Sequence, residues 1–206
     1  MTQTPEIAAI VLAAGRASRF AGGAADRTKL TEIFEGKPLV RHVVEAALAS
    51  GAAPVVVVTG HARGAVMSAL TGLPIREAPN AAYASGIASS VIAGIAAAPA
   101  HCAGALVMLA DMPRVPAALV QMMIETFARE PGVDAVVPVV EGRRGNPVLL
   151  SRTLFAQVAA LEGDEGARKL LMREGLRVKE VVVAESGAAL DIDTPEALAA
   201  LRASQA

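Results

Sequence analysis

Short runs of β-branched and small apolar residues alternate along this chain with longer alanine-rich stretches. The first run, IAAIVLA at Ile7–Ala13, ends directly in a glycine turn, and an unbroken apolar run of this kind is typical of a strand buried on both faces. Similar runs occur at residues 54–59, 103–110 and 134–139. Apolar residues at helical spacing fill stretches 38–49, 62–70, 87–97 and 116–129. This alternation predicts an α/β fold, a three-layer, Rossmann-like and mostly parallel sheet with helices on both faces.

The regular alternation weakens after residue 138. Residues 136–140 and 147–150 are extended in character and flank a charged, glycine-bounded loop, which predicts a small hairpin excursion from the sheet. Helical spacing returns at 151–161 and 165–174, a strand is expected at 179–183, and a last helix is expected to begin near residue 194. Since no repeat or linker divides the sequence, we expect one domain over residues 1–206.

Composition limits the classes of partner. The chain carries 19 Lys plus Arg against 20 Asp plus Glu, so bulk charge does not favour nucleic acid or an anionic membrane. One cysteine excludes an internal disulfide framework and fits a reducing compartment, and no apolar run approaches the roughly 20 residues that span a bilayer. We therefore expect a cytoplasmic protein. Because only 2% of residues are aromatic, we expect backbone groups to make most of the contacts that recognise any bound base.

The turn after the first strand has the composition of a phosphate cradle. Residues 12–20 read LAAGRASRF, and small residues let main-chain NH groups approach an anion closely. Arg16 and Arg19, with Arg27 and Lys29 further on, add local positive charge to a nearly neutral chain. The Walker pattern and the dinucleotide fingerprint are both missing. A plain strand-to-helix turn with solvated arginines is the alternative interpretation.

Seven segments together resemble a known family. They are LAAGRASRF with Lys29 beyond it, GKPL at 36–39, NAAYASGIASS at 80–90, LADMP at 109–113, GRRGNPVLL at 142–150, GDEGAR at 163–168 and DIDTPEAL at 191–198. In this order they resemble the MobA-like nucleotidyltransferases, which build dinucleotide forms of the molybdenum cofactor, and most closely the cytidylyltransferase (MocA-like) branch. The resemblance implies the nucleotide-diphospho-sugar transferase fold.

The resemblance also implies a reaction. CMP would be transferred from CTP to the phosphate of the molybdenum-pterin cofactor, pyrophosphate would leave, and Mg²⁺, with Mn²⁺ as a substitute, would serve as cofactor. A molybdenum hydroxylase would receive the product. Both substrates are anions, so such a reaction needs positioning and cations rather than a protein nucleophile.

Carboxylates supply the candidate metal ligands. Asp111 directly follows an apolar run, which places it at the carboxyl end of a strand, and carboxylate oxygens suit Mg²⁺. The resemblance assigns Asp111 to the metal, and to catalysis together with Arg19 and Lys29. Asp191 and Asp193 are the other metal candidates, with Asp191 preferred. A helix cap or turn is the alternative role for Asp111, and a cap at the start of the last helix is the alternative for Asp193.

The resemblance distributes the remaining site residues between the two substrates. The nucleotide-binding set comprises Leu12, Ala13, Ala14, Gly15, Arg16, Asn80, Ser85, Gly86 and Ser89. The acceptor-binding set comprises Arg144, Gly145, Asn146, Pro147, Asp164 and Arg168. A capped polar turn is the alternative for the segment from Asn80 to Ser89, and a tight charged hairpin is the alternative for the segment around Arg144.

Base choice depends on one small residue. The family has LAAG in its cytidylyl branch and LAGG in its guanylyl branch, and this chain has Ala14. A methyl group here is expected to narrow the pocket and favour a pyrimidine. One departure concerns the link of residues 22–28, which is longer than usual before the lysine and leaves the placement of Lys29 open. The alternatives are a relative that uses another nucleotide or another phosphorylated acceptor, such as a sugar phosphate, and a non-catalytic carrier of the cofactor.

Overall fold

The computed structural model describes residues 5–15, 28–172, 174–183 and 199. Four predicted site residues, Arg16, Arg19, Asp191 and Asp193, lie outside the described residues, as does the expected last helix apart from residue 199.

Strands supply the centre of the molecule. They are β1 (Ile7–Ala13), β2 (Ile33–Phe34), β3 (Lys37–Pro38), β4 (Val55–Thr59), β5 (Arg76–Pro79), β6 (Gly104–Leu109), β7 (Ala135–Val140), β8 (Arg143–Arg144), β9 (Val148–Ser151) and β10 (Val178–Val182). The main sheet has the order β10-β7-β9-β6-β1-β4-β5, with β8 paired to β7, and β2 and β3 form a separate hairpin. Within the main sheet β9 runs antiparallel to β6 and β7, β8 runs antiparallel to β7, and the other pairs are parallel.

Helices cover both faces of this sheet. They are α1 (Leu39–Ala49), α2 (Arg63–Ala69), α3 (Ile87–Ala97), α4 (Ala117–Arg129), α5 (Phe155–Val158) and α6 (Ala167–Leu170). Buried residues of α1, α2 and α4 pack on one face, and those of α3, α5 and α6 pack on the other. Every residue of β1 is buried, which explains why its sequence is apolar without alternation. The predicted three-layer, mostly parallel α/β fold is confirmed.

Some elements differ from the sequence expectation. Strand β5 was not predicted, because its REAP sequence at the sheet edge has no apolar run. The helix expected over 151–161 shrinks to α5, since Ser151 completes β9 and residues 152–154 form a 3₁₀ turn. The helix expected over 165–174 shrinks to α6. None of the described helices combines the length and apolar character needed to cross a membrane.

The strand order reverses at β1. From β1 the chain passes outward to β4 and β5, then crosses back to place β6 on the other side of β1. In open α/β sheets, ligands bind beyond the carboxyl ends of the strands at such a reversal. The turn after β1 and the residues after β6 border this crevice.

Candidate active site

Lys29 and Asp111 meet at the strand-order reversal. Ala110 donates its backbone N–H to the Leu12 carbonyl at 3.2 Å, which keeps the ends of β6 and β1 side by side. Asp111 follows, and its Oδ2 lies 2.8 Å from Lys29 Nζ. Lys29 is buried, with 8% of its surface exposed. The long link of residues 22–28 therefore does not keep this lysine away from the carboxylate.

Local structure directs Lys29 inward. Thr28 accepts a hydrogen bond from Leu30 N on its hydroxyl oxygen at 3.3 Å and so caps the 3₁₀ turn Lys29–Thr31. Its side chain is buried with those of Lys29 and Leu30. A capped turn fixes the direction in which the next side chain leaves the backbone.

The second oxygen of Asp111 has the environment of a cation ligand. Oδ1 is buried and has no hydrogen-bond partner among the described residues. A buried oxygen of this kind costs free energy unless a donor, a water or a cation satisfies it, and carboxylate oxygens are preferred by Mg²⁺ and Mn²⁺. The residues present thus fit a divalent cation. No cluster of three or more acidic, histidine or cysteine side chains suited to a metal occurs in the described part of the chain.

The turn after β1 is packed from one side. The Ala14 carbonyl accepts a hydrogen bond from His61 N at 3.1 Å, and Ala14 is 2% exposed. A Cβ placed on Gly60 would lie 2.9 Å from the Ala14 methyl and 2.6 Å from Tyr83 Cβ. The Ala14 methyl therefore packs beside Gly60, whereas Gly15 is exposed. Leu12 and Ala13 are the last two residues of β1 and are buried in it.

The segment from Asn80 to Ser89 is held by its own polar groups. Asn80 Nδ2 donates to Ser89 Oγ at 2.9 Å and to Ser90 Oγ at 3.0 Å, and its Oδ1 accepts from Ala82 N at 2.9 Å. Ser89 Oγ donates to the Gly86 carbonyl at 2.9 Å. Ser85 is exposed and donates to the Ala82 carbonyl at 2.8 Å. These contacts match the capped polar turn, and they leave exposed Ser85 as the hydroxyl that faces solvent.

The acceptor-side hairpin is tied to its neighbours. Arg144 Nε lies 2.8 Å from Glu180 Oε1, and Arg144 Nη1 donates to the Leu171 carbonyl at 3.3 Å. Arg168 Nη1 donates to the Arg144 carbonyl at 3.1 Å. The structure thus brings Arg144 and Arg168 together. The Arg144 guanidinium, however, is paired with Glu180 of β10.

The remaining acceptor-side residues lie along the same edge. Gly145 and Pro147 are buried, and Gly145 N donates to the Pro138 carbonyl at 2.8 Å. Asn146 is half-buried, while Asp164 is exposed. Because β7 runs parallel to β6 through the intervening β9, the loop after β7 opens on the same side of the sheet as Asp111.

Sequence reasoning missed a pocket on the opposite side of β1 from Asp111. This pocket of about 720 Å³ is lined by residues 60–65 and Tyr83. The rings of His61 and Tyr83 lie 6.1 Å apart, centroid to centroid. The signal was present in the sequence, since Gly60 and His61 directly follow a buried valine strand and thus reach the ligand-bearing edge.

Charged side chains fasten the helix beside this pocket to the sheet. Arg63 forms a bidentate pair with Glu77, with Nε–Oε1 at 2.6 Å and Nη2–Oε2 at 2.8 Å. The hydrogen bond from Arg63 is the largest cause that lowers the pKa of Glu77, with a further contribution from the Thr59 hydroxyl, while partial burial opposes the shift. The same pair raises the pKa of Arg63. Glu77 therefore stays ionised and holds the start of α2.

Comparison with known protein families shows the family of this chain. Residues 9–178 match the model of the MobA-like NTP transferase domain. The chain belongs to this family. The resemblance drawn from the seven sequence segments is thereby confirmed, and the protein is a nucleotidyltransferase. Nucleotidyltransferases of this family use divalent metals such as Mg²⁺ or Mn²⁺, so the predicted cofactor class is confirmed as well.

Individual relatives span different parts of the chain. Nicotine blue oxidoreductase of Paenarthrobacter nicotinovorans is 30% identical, with 95% of this chain and 96% of that protein covered. Purine catabolism protein PucB of Bacillus subtilis is 39% identical over 45% of this chain and 44% of its own. The bifunctional protein GlmU of Rhizorhabdus wittichii is 33% identical over 76% of this chain, which spans 33% of GlmU.

Solved structures share the fold. Rv0371c of Mycobacterium tuberculosis superimposes with a TM-score of 0.84 at 25% identity, covering 98% of this chain and all of that one. A manganese complex of Rv0371c gives 0.82 at 24% identity, with coverages of 97% and 99%. A synthetase of CMP:2-keto-3-deoxy-manno-octonic acid, complexed with CTP, gives 0.74 at 18% identity, with coverages of 97% and 98%. The predicted nucleotide-diphospho-sugar transferase fold is confirmed.

Proposed function

We propose that this nucleotidyltransferase transfers CMP from CTP to the phosphate of the molybdenum-pterin cofactor and releases pyrophosphate. One observation carries the chemistry: Lys29 and Asp111 meet beside the β1 turn, with one buried carboxylate oxygen left for a cation. The molybdenum-pterin acceptor and the cytosine base rest on the resemblance of the seven segments. A molybdenum hydroxylase as recipient and a cytoplasmic location belong to the same proposal.

The residues take distinct roles in it. Asp111 would hold the divalent cation together with Asp191, or with Asp193, and that cation would neutralise charge on the phosphates. The Lys29 ammonium, with Arg19 and Arg16, offers positive charge to the α-phosphate and to the leaving pyrophosphate. Backbone N–H groups of the turn at Ala14 and Gly15 cradle the triphosphate. Arg144 and Arg168 lie on the side from which the acceptor approaches.

The strand order supports a position for the base on the β4 side of β1. Asp111 lies on the β6 side of β1, so a nucleotide whose α-phosphate is near Asp111 extends its base towards β4 and β5. There the pocket beside His61 and Tyr83 is open. Base recognition would then fall to these rings together with the backbone of residues 12–15 and the segment from Asn80 to Ser89. The alternative is a nucleotidyltransferase of the same fold that uses another phosphorylated acceptor, such as a sugar phosphate.

We expect CTP to be the preferred nucleotide. Purified protein with Mg²⁺ and the molybdenum-pterin cofactor should release pyrophosphate from CTP at least about tenfold faster than from GTP, ATP or UTP, since a good hydrogen-bonding site discriminates by several kcal/mol. The measurement is a coupled pyrophosphate assay with each nucleotide, with and without the acceptor. Equal rates for all four nucleotides would contradict the base assignment and leave the transferase chemistry in place.

A relative named as an oxidoreductase supplies a competing activity to test. Because nicotine blue oxidoreductase matches nearly the full chain, the same preparation is assayed for NADH and NADPH consumption with a quinone-type dye. Lys29 beside Asp111 provides charges for phosphate chemistry, so we expect no turnover of either reduced nicotinamide. Nicotinamide oxidation without pyrophosphate release would replace the transferase proposal with a redox function.

Ala14→Gly should weaken the preference for CTP over GTP. The Ala14 methyl is buried beside Gly60, which lines the pocket together with Tyr83, so it acts on the base pocket by packing against Gly60 and not by projecting into open space. Its removal leaves room for Gly60 to shift and widens the space for a purine, and we expect the ratio of kcat/KM for CTP over GTP to fall by about tenfold, the effect of one methyl-sized group. Gly15→Ala, at an exposed position where a Cβ meets no atom of the described residues within 4 Å, tests whether any change in the turn has this effect. An unchanged ratio in Ala14→Gly would contradict the role of this residue.

A further inference from the structure

Gly86 and Gly163 touch main chain to main chain. Gly86 has φ +108°, and a Cβ placed on it would lie 2.1 Å from the Gly163 carbonyl oxygen and 2.3 Å from its carbonyl carbon. The Gly163 carbonyl also accepts a hydrogen bond from Ala88 N at 3.0 Å. No side chain fits between the two backbone segments at this point. Glycine at position 86 is therefore required both by its positive φ and by the contact with the Gly163 backbone.

This contact joins two segments that serve different substrates in the proposed function. Gly86 lies within the segment from Asn80 to Ser89 on the nucleotide side and directly precedes α3. Gly163 opens the segment Gly163 to Arg168 on the acceptor side. The first N–H groups of a helix have no acceptor within the helix, and the Ala88 N–H is one of them. Here it donates a hydrogen bond to the Gly163 carbonyl.

The acceptor-side segment is also anchored at its other end. Ala167 and Leu170 of α6 are buried in the core on the α3 face, and Arg168 donates to the Arg144 carbonyl at 3.1 Å. Between these anchors, Asp164 is exposed at the edge of the sheet. A short segment fixed at both ends cannot shift at one end without moving its middle.

We propose that Gly86 and Gly163 are positioning residues that couple the nucleotide segment to the acceptor segment. A nucleotide that contacts residues 80–89 and restrains their remaining motion also restrains residues 163–168 through this junction and so prepares the acceptor side. The inference rests on the proposed function for the assignment of the two segments. Neither glycine needs to touch substrate for the coupling to operate.

Hydrogen–deuterium exchange of the full chain tests the coupling, with Mg²⁺ and CTP as the probe. We expect CTP to slow amide exchange in peptides covering residues 163–168 by about fivefold or more, the lower end of ordinary coupling between sites, while residues 130–134 at the opposite edge of the sheet stay unchanged. Calorimetry of CTP binding accompanies the exchange measurement. CTP binding without a response at 163–168 overturns the inference alone, whereas the absence of CTP binding overturns the proposed function and the inference with it.

Gly86→Ala separates the junction from direct contact by the nucleotide. The added methyl displaces the Gly163 carbonyl. At CTP concentrations that saturate this variant, which calorimetry on the variant determines, residues 163–168 should no longer respond. Gly51→Ala is the matched control, because Gly51 also has a positive φ of +84° but its Cβ would meet no atom within 4 Å in the part of the chain that the structure describes. A response at 163–168 that persists in Gly86→Ala overturns the inference. If Gly86→Ala does not fold, the wild-type exchange result still decides whether the segments communicate.

Discussion

Asp111→Asn should lower kcat for pyrophosphate release from CTP by about a hundredfold to a thousandfold, the usual effect of removing one main charge-stabilising group. Asparagine keeps the size of the side chain but loses the negative charge that pairs with Lys29 and that a divalent cation needs. The variant is assayed at saturating CTP over a range of Mg²⁺ and Mn²⁺ concentrations. We expect that no metal concentration restores the wild-type rate.

Asp134→Asn is the matched control, since it makes the same chemical change at the amino end of a strand instead of the carboxyl end. Asp134 precedes β7 and accepts a hydrogen bond from Arg177 N at 2.9 Å, so its replacement should reduce stability without reducing kcat of the folded protein. Thermal melts of both variants separate unfolding from loss of chemistry. A folded Asp111→Asn protein with full turnover would show that this carboxylate takes no part in the reaction. If the wild type delivers the molybdenum-pterin cofactor but releases no pyrophosphate, the result would favour the non-catalytic carrier.

Lys29→Met should lower kcat by about a hundredfold and should also make stability depend more strongly on Mg²⁺. Without the ammonium, the Asp111 carboxylate loses its partner at 2.8 Å, and we expect a cost of about 2 kcal/mol, below the range for fully buried pairs because a fifth of the Asp111 side chain is exposed. A bound cation then replaces the missing charge, so Mg²⁺ should raise the melting temperature of Lys29→Met by more than that of the wild type.

Lys37→Met is the matched control for this substitution. Lys37 pairs with Glu45 at 2.6 Å, and half of its side chain is exposed, so its loss should change neither kcat nor the effect of Mg²⁺ on melting. Differential scanning fluorimetry with and without Mg²⁺ gives the second readout independently of activity. Equal Mg²⁺ effects in Lys29→Met and the wild type would indicate that the cation does not bind at Asp111.

Much of the candidate site was predictable because the position of a strand in the sheet also fixes the position of the residues that follow it. The apolar runs identified β1, β4, β6 and β7, and in a parallel sheet the residues that follow such strands share one edge. That rule alone predicts the β1 turn and Asp111 at the same edge of the sheet. Helix α3 was predicted at its observed bounds, because apolar spacing and a preceding glycine mark its start.

Three features escaped prediction because they depend on contacts between distant segments. The pocket beside Gly60, His61 and Tyr83 forms where the end of β4 meets the segment after β5, and β5 itself has no apolar pattern. The packing of the Ala14 methyl beside Gly60 depends on the pairing of β1 with β4. The engagement of Arg144 by Glu180 requires the register of β10 on β7, which no local pattern specifies.

By itself, the sequence determined which long apolar segments become the central strands and the main helices, that the sheet is mostly parallel, and which turns reach its ligand-bearing edge. Hydrophobic periodicity and turn chemistry are local properties, and they are legible in the order of residues. Only the tertiary structure decided the strand order, the approach of Lys29 to Asp111 across a long link, and the junction of Gly86 with Gly163. These are contacts between segments far apart in the chain, and they are set by how whole elements pack together, which leaves no mark within either segment alone.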